Sequence, residues 1–127
     1  MRHERHYTLA EARELRAWVG ARVETSRRAV RVLGSAEGRA ALAALDATSG
    51  GAWPGRAVAQ ATLDLQRAIA ELQAADIVVR DVVRGLVDFP AVRDGKEVYL
   101  CWLVDEPEIE HWHELDAGFA GRRRLTR

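Results

Sequence analysis

The chain has 127 residues, with 19 Lys+Arg against 19 Asp+Glu and a formal net charge of +0. Phosphate binding by bulk charge needs a basic excess, so nucleic-acid binding of that kind is excluded. At 48% hydrophobic residues, wholesale disorder is excluded too. One cysteine rules out an intrachain disulfide and a four-cysteine zinc site. No apolar run approaches the roughly 20 residues of a membrane span, so no membrane partner is expected. The opening residues carry no apolar signal core, which makes a cytoplasmic location the expectation.

Thr8-Leu9-Ala10-Glu11 has the spacing of a capping box, so a helix is predicted to start there. Ala12, Leu15, Val19, Val23, Ser26, Val30 and Leu33 recur at three- and four-residue steps, a narrow seam of the kind paired helices use. His3 and His6 precede the box and are expected in a mobile segment, not at a metal. Gly34 and Gly38 interrupt the pattern, each at about 1 kcal/mol relative to Ala inside a helix. One bent helix and two abutting ones both fit. Residues 39–47 again read as helical, and Thr48 to Gly55 read as a loop. A second helix is predicted from Pro54 to Ala75, with Val58, Ala61, Leu65, Ala68 and Leu72 as its stripe. Residues 8–75 should therefore form a long antiparallel helical hairpin.

The periodicity then shifts. Ile77-Val78-Val79 and Val82-Val83 are β-branched clusters. Asp94-Gly95 between two apolar runs signals a type I′ hairpin turn, because both central residues need positive φ. Centring the turn there sets Arg93 against Lys96, Ala91 against Val98, Phe89 against Leu100, Asp88 against Cys101 and Val87 against Trp102. Val87, Phe89, Ala91, Val98, Leu100 and Trp102 then share the face toward the helices. Pro90 lacks a donor, so its strand should be an edge or carry a bulge there. Asp105-Glu106-Pro107-Glu108 reads as a helix start, giving a short C-terminal helix over 105–116. Residues 117–127 should form a turn and a frayed basic tail.

The string from Gly85 through Asp88-Phe89-Pro90-Ala91, Asp94-Gly95, Tyr99-Leu100-Cys101-Trp102, Glu106, Ile109, Trp112-His113 and Gly118 to Arg122 resembles an uncharacterised bacterial family, domain of unknown function 2203. The opening Tyr7 to Ala12 is similar to that family's start. The resemblance spans essentially the whole chain and implies long helices plus a β-hairpin. It brings no activity. Leu103, Asp105 and His111 depart from the pattern, where a basic residue, Gly and an aromatic are common.

Two groups of residues carry chemistry. On a C-terminal helix, Glu106, Glu110 and His113 would share one stripe, and Glu110-x-x-His113 is the spacing di-iron bundles use, twice over, for each metal pair. Asp88 between Val87 and Phe89 must be largely buried, and a buried carboxylate needs a partner. Arg122, backbone amides, or a metal shared with Cys101 and His113 are the candidates. Carboxylate, thiolate and imidazole together suit Zn²⁺ with an open position. The ordinary alternatives are a salt-bridged Asp88, a small core Cys101 and a solvated acidic helix. Trp102 and Trp112, with Asp88 and Arg122, could line a ligand pocket, or the tryptophans could simply be core.

The sequence thus predicts a single α+β domain: a helical hairpin with a bent or broken first arm, a packed β-hairpin and a short C-terminal helix. The leading expectation of function is a small interaction or structural module, self-associating as a homodimer through its helices. The alternative is a metal- or small-ligand-binding protein, with a divalent Zn or Fe held among Asp88, Cys101, Glu106, Glu110 and His113.

Overall fold

A computed structural model of the protein describes residues 1–35, 39, 40, 43 and 55–125. The readings at Gly38, at the 48–54 loop with Pro54, and at Thr126-Arg127 lie outside these residues. The fold is α+β. Helix α1 spans Leu9–Gly34 and helix α2 spans Gly55–Ala74. Strands β1 (Val78–Asp81), β2 (Leu86–Arg93), β3 (Lys96–Leu103), β4 (His111–Glu114) and β5 (Arg123–Arg124) form one antiparallel sheet in the order β1-β2-β3-β4-β5.

Helix α1 starts as its sequence dictates. The Thr8 hydroxyl accepts from the Glu11 amide at 3.1 Å, and the Glu11 carboxylate accepts from the Thr8 amide at 2.8 Å. The helix stops at Gly34, where Ser35 turns extended (φ −71°, ψ 162°). Ala12, Val19, Val23 and Ser26 of the seam are buried, with Ala29 replacing Val30. On α2 the stripe is buried at Val58, Ala61, Ala68 and Leu72, and only partly at Leu65. The helices pack on each other, and Arg22 on α1 donates to Glu71 on α2 at 2.7 Å.

The β2–β3 hairpin has the register the turn predicted, from Arg93↔Lys96 through Asp88↔Cys101 to Val87↔Trp102. Asp94 and Gly95 take φ of 52° and 77°, as a type I′ turn requires. Val87, Phe89, Ala91, Val98, Leu100 and Trp102 share a core with Ala12, Val19 and Val23 of α1 and Leu72 of α2. Burying such a side chain stabilises the fold by roughly 1.5–3 kcal/mol.

Several expectations need correction or refinement. First, β2 is an inner strand only over residues 86–88, where β1 pairs with it; at Pro90, among the described residues, no strand flanks that side, as its missing donor predicts. Pro90 is paired with Tyr99 on one side, and on the other its carbonyl accepts from the Tyr7 amide at 2.7 Å. Its ring nitrogen faces the same way as that carbonyl, so no ladder bond to β3 is lost. The bulge lies in β1, between Val79 and Asp81.

Second, there is no C-terminal helix over 105–116. Residues 104–108 form a turn and bend, and His111–Glu114 adds a strand to the free edge of β3. The Asp-Glu-Pro-Glu signature serves the turn instead: the Glu106 carboxylate accepts from the Leu103 amide at 2.9 Å. The open β3 edge offers ladder bonds that a short helix would leave unmade.

Third, residues 117–127 are not simply a tail. Phe119–Gly121 is a 3₁₀ turn, and Arg123 and Arg124 pair with Trp112 and His111.

The N-terminal segment is also pinned rather than mobile. Asp76, at the end of α2, adopts φ 61°, and Ile77 donates to the Leu72 carbonyl at 3.0 Å, a Schellman-type ending. The freed Asp76 carboxylate then meets His3 Nδ1 at 2.8 Å. The Tyr7 hydroxyl donates to the Ala75 carbonyl at 2.6 Å.

Gly85 closes the β1–β2 turn at φ 72°, where an added Cβ would sit 2.5 Å from Val104 Cγ2. Gly118 combines φ 66° with ψ −169°, a region essentially only glycine enters, with open space around it. G118A should lose roughly 1–3 kcal/mol from that backbone strain alone. In G85A the Val104 clash adds to the positive-φ penalty, so V104A should partly rescue it. A urea double-mutant cycle of G85A with V104A checks this, and strictly additive losses would refute the clash.

Candidate metal centre

Side chains alternate along each strand, so the face of the sheet turned away from the helices has its own set of residues. The ladder places Asp88 beside Cys101, Cys101 beside His111, and Tyr99 beside His113. Asp88 (1% exposed), Cys101 (0%) and His113 (2%) are all buried there. One ligand atom from each lies within 4.8 Å of the others. Asp88 and His113 meet diagonally across β3, with His113 Nε2 at 3.0 Å from Asp88 Oδ1.

The hydrogen bonds define which atoms are available. His113 Nδ1 lies 2.7 Å from the Glu114 carbonyl, which can only accept, so Nδ1 carries a proton. The opposite nitrogen, Nε2, therefore faces a carboxylate oxygen across 3.0 Å. Two lone pairs cannot face each other at that distance unless a cation, a proton or a metal, lies between them. The other Asp88 oxygen accepts from Arg80 Nε at 2.8 Å. Burial, with the Asp88 charge adding to it, pushes the Cys101 thiol up to about 12. Without a bound cation it is a neutral thiol, and so not a nucleophile.

Arg80 is the residue that sequence reasoning missed. It occupies the β1 bulge, and its guanidinium lies 4.9 Å from the Tyr99 ring centre. A bulge re-aims a side chain without any composition signal. Tyr99 enters the sequence reading only within the family-like string. Its ring packs at 5.4 Å from His113, and its hydroxyl lies 2.6 Å from His3 Nε2.

The other predicted residues stand apart from this trio. Glu106 accepts from Arg122 Nη2 at 2.9 and 2.8 Å through its two oxygens. Arg122 also contacts His111 Nδ1, and its own Nε is buried with no partner among the described residues. Burial, then the Arg122 charge, lowers the pKa of His111. Glu110 meets Arg124 at 3.3 Å. With no helix, Glu110 and His113 do not form a two-ligand helical motif, and the di-iron comparison falls away. Trp102 pairs with Val87 on the helix side of the sheet, and its Nε1 donates to the Glu106 carbonyl at 3.0 Å. Trp112 pairs with Leu100 and lies against the same core. Neither tryptophan covers the trio.

A cavity of about 210 Å³ borders the trio instead, with Arg80, Asp88 and His113 on the sheet side and Leu115 and Phe119 from the C-terminal segment. The N-terminal segment closes the neighbouring part of this face through Glu97. That carboxylate accepts from the Arg2 amide (2.6 Å), the His3 amide (2.9 Å) and His6 Nε2 (2.7 Å). Burial works against the charge, but these bonds outweigh it and hold the pKa down to about 2 from 4.5.

The chain belongs to the family described as an uncharacterized conserved protein, DUF2203, whose family model matches residues 5–125. Neither a curated protein nor a solved structure matches it.

Two outcomes follow from these contacts. A carboxylate with a lowered folded-state pKa binds fewer protons folded than unfolded, so its stabilisation is complete above pH about 4.5 and is lost as pH falls toward about 2. The stability difference between wild type and E97Q, followed by thermal melts across that window, should shrink accordingly. D88A should destabilise the protein by about 3 kcal/mol, because it leaves His113 buried opposite nothing; Arg80, partly exposed, can turn to water. Urea titration measures this, and a loss under about 1 kcal/mol would contradict it.

Proposed function

We propose that this is a zinc-binding protein in which Asp88, Cys101 and His113 hold one Zn²⁺ and leave its fourth position for water or a small ligand. The carrying observation is the His113 tautomer. Its Nδ1–H is committed to the Glu114 carbonyl, which aims the Nε2 lone pair at the Asp88 carboxylate with the Cys101 sulfur alongside. A ring nitrogen donating to a backbone carbonyl while the other faces the metal is the usual support for a histidine ligand.

The donor set favours zinc over iron. One carboxylate, one imidazole and one thiolate match zinc sites with three protein ligands, whereas non-haem iron sites of the carboxylate type lack the sulfur. A thiol at about 12 still ionises on metal binding, because a coordinated thiol is deprotonated outright. Three-ligand zinc is the form that binds and activates water or polarises a substrate oxygen.

Association through the helices, as a homodimer or with another protein, has weaker support. Its basis was the length of the α1 seam, and Ala12, Val19 and Val23 of that seam are covered by the sheet. Among the described residues, Val32 and Leu63 are the exposed large apolar side chains of the helices. No helix among the described residues is long and apolar enough to cross a membrane.

Protein stripped with chelator should take up one equivalent of Zn²⁺ against a chromophoric competitor, with affinity tighter than micromolar. Cobalt in place of zinc should give a thiolate-to-metal charge-transfer band that C101S abolishes. H113A should remove at least 100-fold in affinity while circular dichroism shows a folded chain. Stoichiometric zinc absent at micromolar concentrations would overturn the proposal and leave a proton-linked Asp88–His113 pair.

A further inference from the structure

Asp88 offers two oxygens, and the fold treats them differently. Oδ1 faces His113 Nε2 across 3.0 Å, the gap that needs a cation. Oδ2 accepts from Arg80 Nε at 2.8 Å. Arg80 falls at the register shift between Val79 and Asp81, and its guanidinium lies 4.9 Å from the Tyr99 ring centre. The Asp88 bond and the Tyr99 ring together fix its direction. Its side chain is 40% exposed against 1% for Asp88, so the outer part of the guanidinium stays hydrated while Nε reaches the closed face.

We propose that Arg80 is a positioning residue: it restricts Asp88 to ligation through Oδ1 and so keeps the fourth metal position open. This rests on the zinc reading. A carboxylate can bind a metal through one oxygen or through both. Three protein ligands leave four-coordinate zinc a single free position, and a second Asp88 oxygen would claim or crowd it. Moving Oδ2 onto the metal would break a charge-assisted hydrogen bond and draw a divalent ion toward a fixed positive charge. Arg80, Asp88 and His113 all border the cavity of about 210 Å³, so the position kept free opens toward it. A ligating carboxylate that is itself hydrogen-bonded is the outer-shell arrangement that orients a ligand.

Cobalt-loaded protein titrated with imidazole tests this, at about pH 8, where free imidazole is mostly uncharged and indifferent to the charge at position 80. Imidazole should perturb the visible cobalt bands saturably in the wild type. R80M keeps an aliphatic stem and removes the donor, and it should bind imidazole weaker by roughly tenfold or more, the scale of an outer-shell loss. R80K should recover part of that loss. A role for Arg80 as wall alone predicts the opposite sign, because removing the guanidinium widens the opening. The Cys101 charge-transfer band should persist in R80M, showing the site still assembled. Imidazole bound as well or better by R80M, or not at all by the wild type, overturns the inference while the zinc reading stands. Loss of the Cys101 band in R80M overturns it too, since Arg80 would then assemble the site and not limit one ligand. Failure of the wild type to bind metal overturns both.

Discussion

The contact on which this molecule turns is the diagonal meeting of Asp88 and His113 across β3. A carboxylate placed mid-strand on the closed face of a sheet is a liability unless it is neutralised there. Everything that covers that face answers to it. The bulge in β1 delivers Arg80 to one oxygen, and β4 delivers His113 to the other. The C-terminal segment folds over through Phe119, and Glu97 fastens the N-terminal residues beside it. The helices take no part in this: they cover the apolar face and leave the other to irregular chain.

That division sets the chemistry. The helix side is a packed hydrophobic layer in which Trp102 fills space and gives its one donor to a turn carbonyl. The opposite side holds ionisable groups in adjoining clusters. Asp88, Cys101 and His113 form one, Glu106, His111 and Arg122 a second, and Glu97 with His3 and His6 a third. The second is closed by its own ion pair and turn bond. Only the first leaves a lone pair facing a carboxylate beside a cavity.

Local rules governed the parts of the fold that were legible in the sequence. Thr8 and Glu11 fix a helix start within four residues, and Asp94-Gly95 fixes the register of sixteen strand residues, because a two-residue turn leaves no freedom to slip. From that register the pairing of Asp88 with Cys101 follows; the place of His113 does not, because it sits on β4, a segment whose sequence reads as helix. What stayed hidden depends on long-range pairing. Asp105 to Glu108 has a helix signature, yet the vacant edge of β3 recruits the following residues as a strand. His3 and His6 bond to Asp76, Glu97 and Tyr99 across 73 to 96 positions, and nothing local announces those bonds. Arg80 looked like any exposed arginine, because a bulge is a property of two strands and not of one.

The bond from Tyr7 to Pro90 has a bearing on how the protein survives at high concentration. A sheet ending in a long bare strand invites other chains to zip onto it. Here β1 covers only residues 86–88 of β2, and the amide of Tyr7 occupies the carbonyl that would continue the row. The outermost strand is thus four residues long and bent by its bulge. At the other border β5 is a two-residue strand of arginines. Both flanks are too short and too irregular to template a growing fibril.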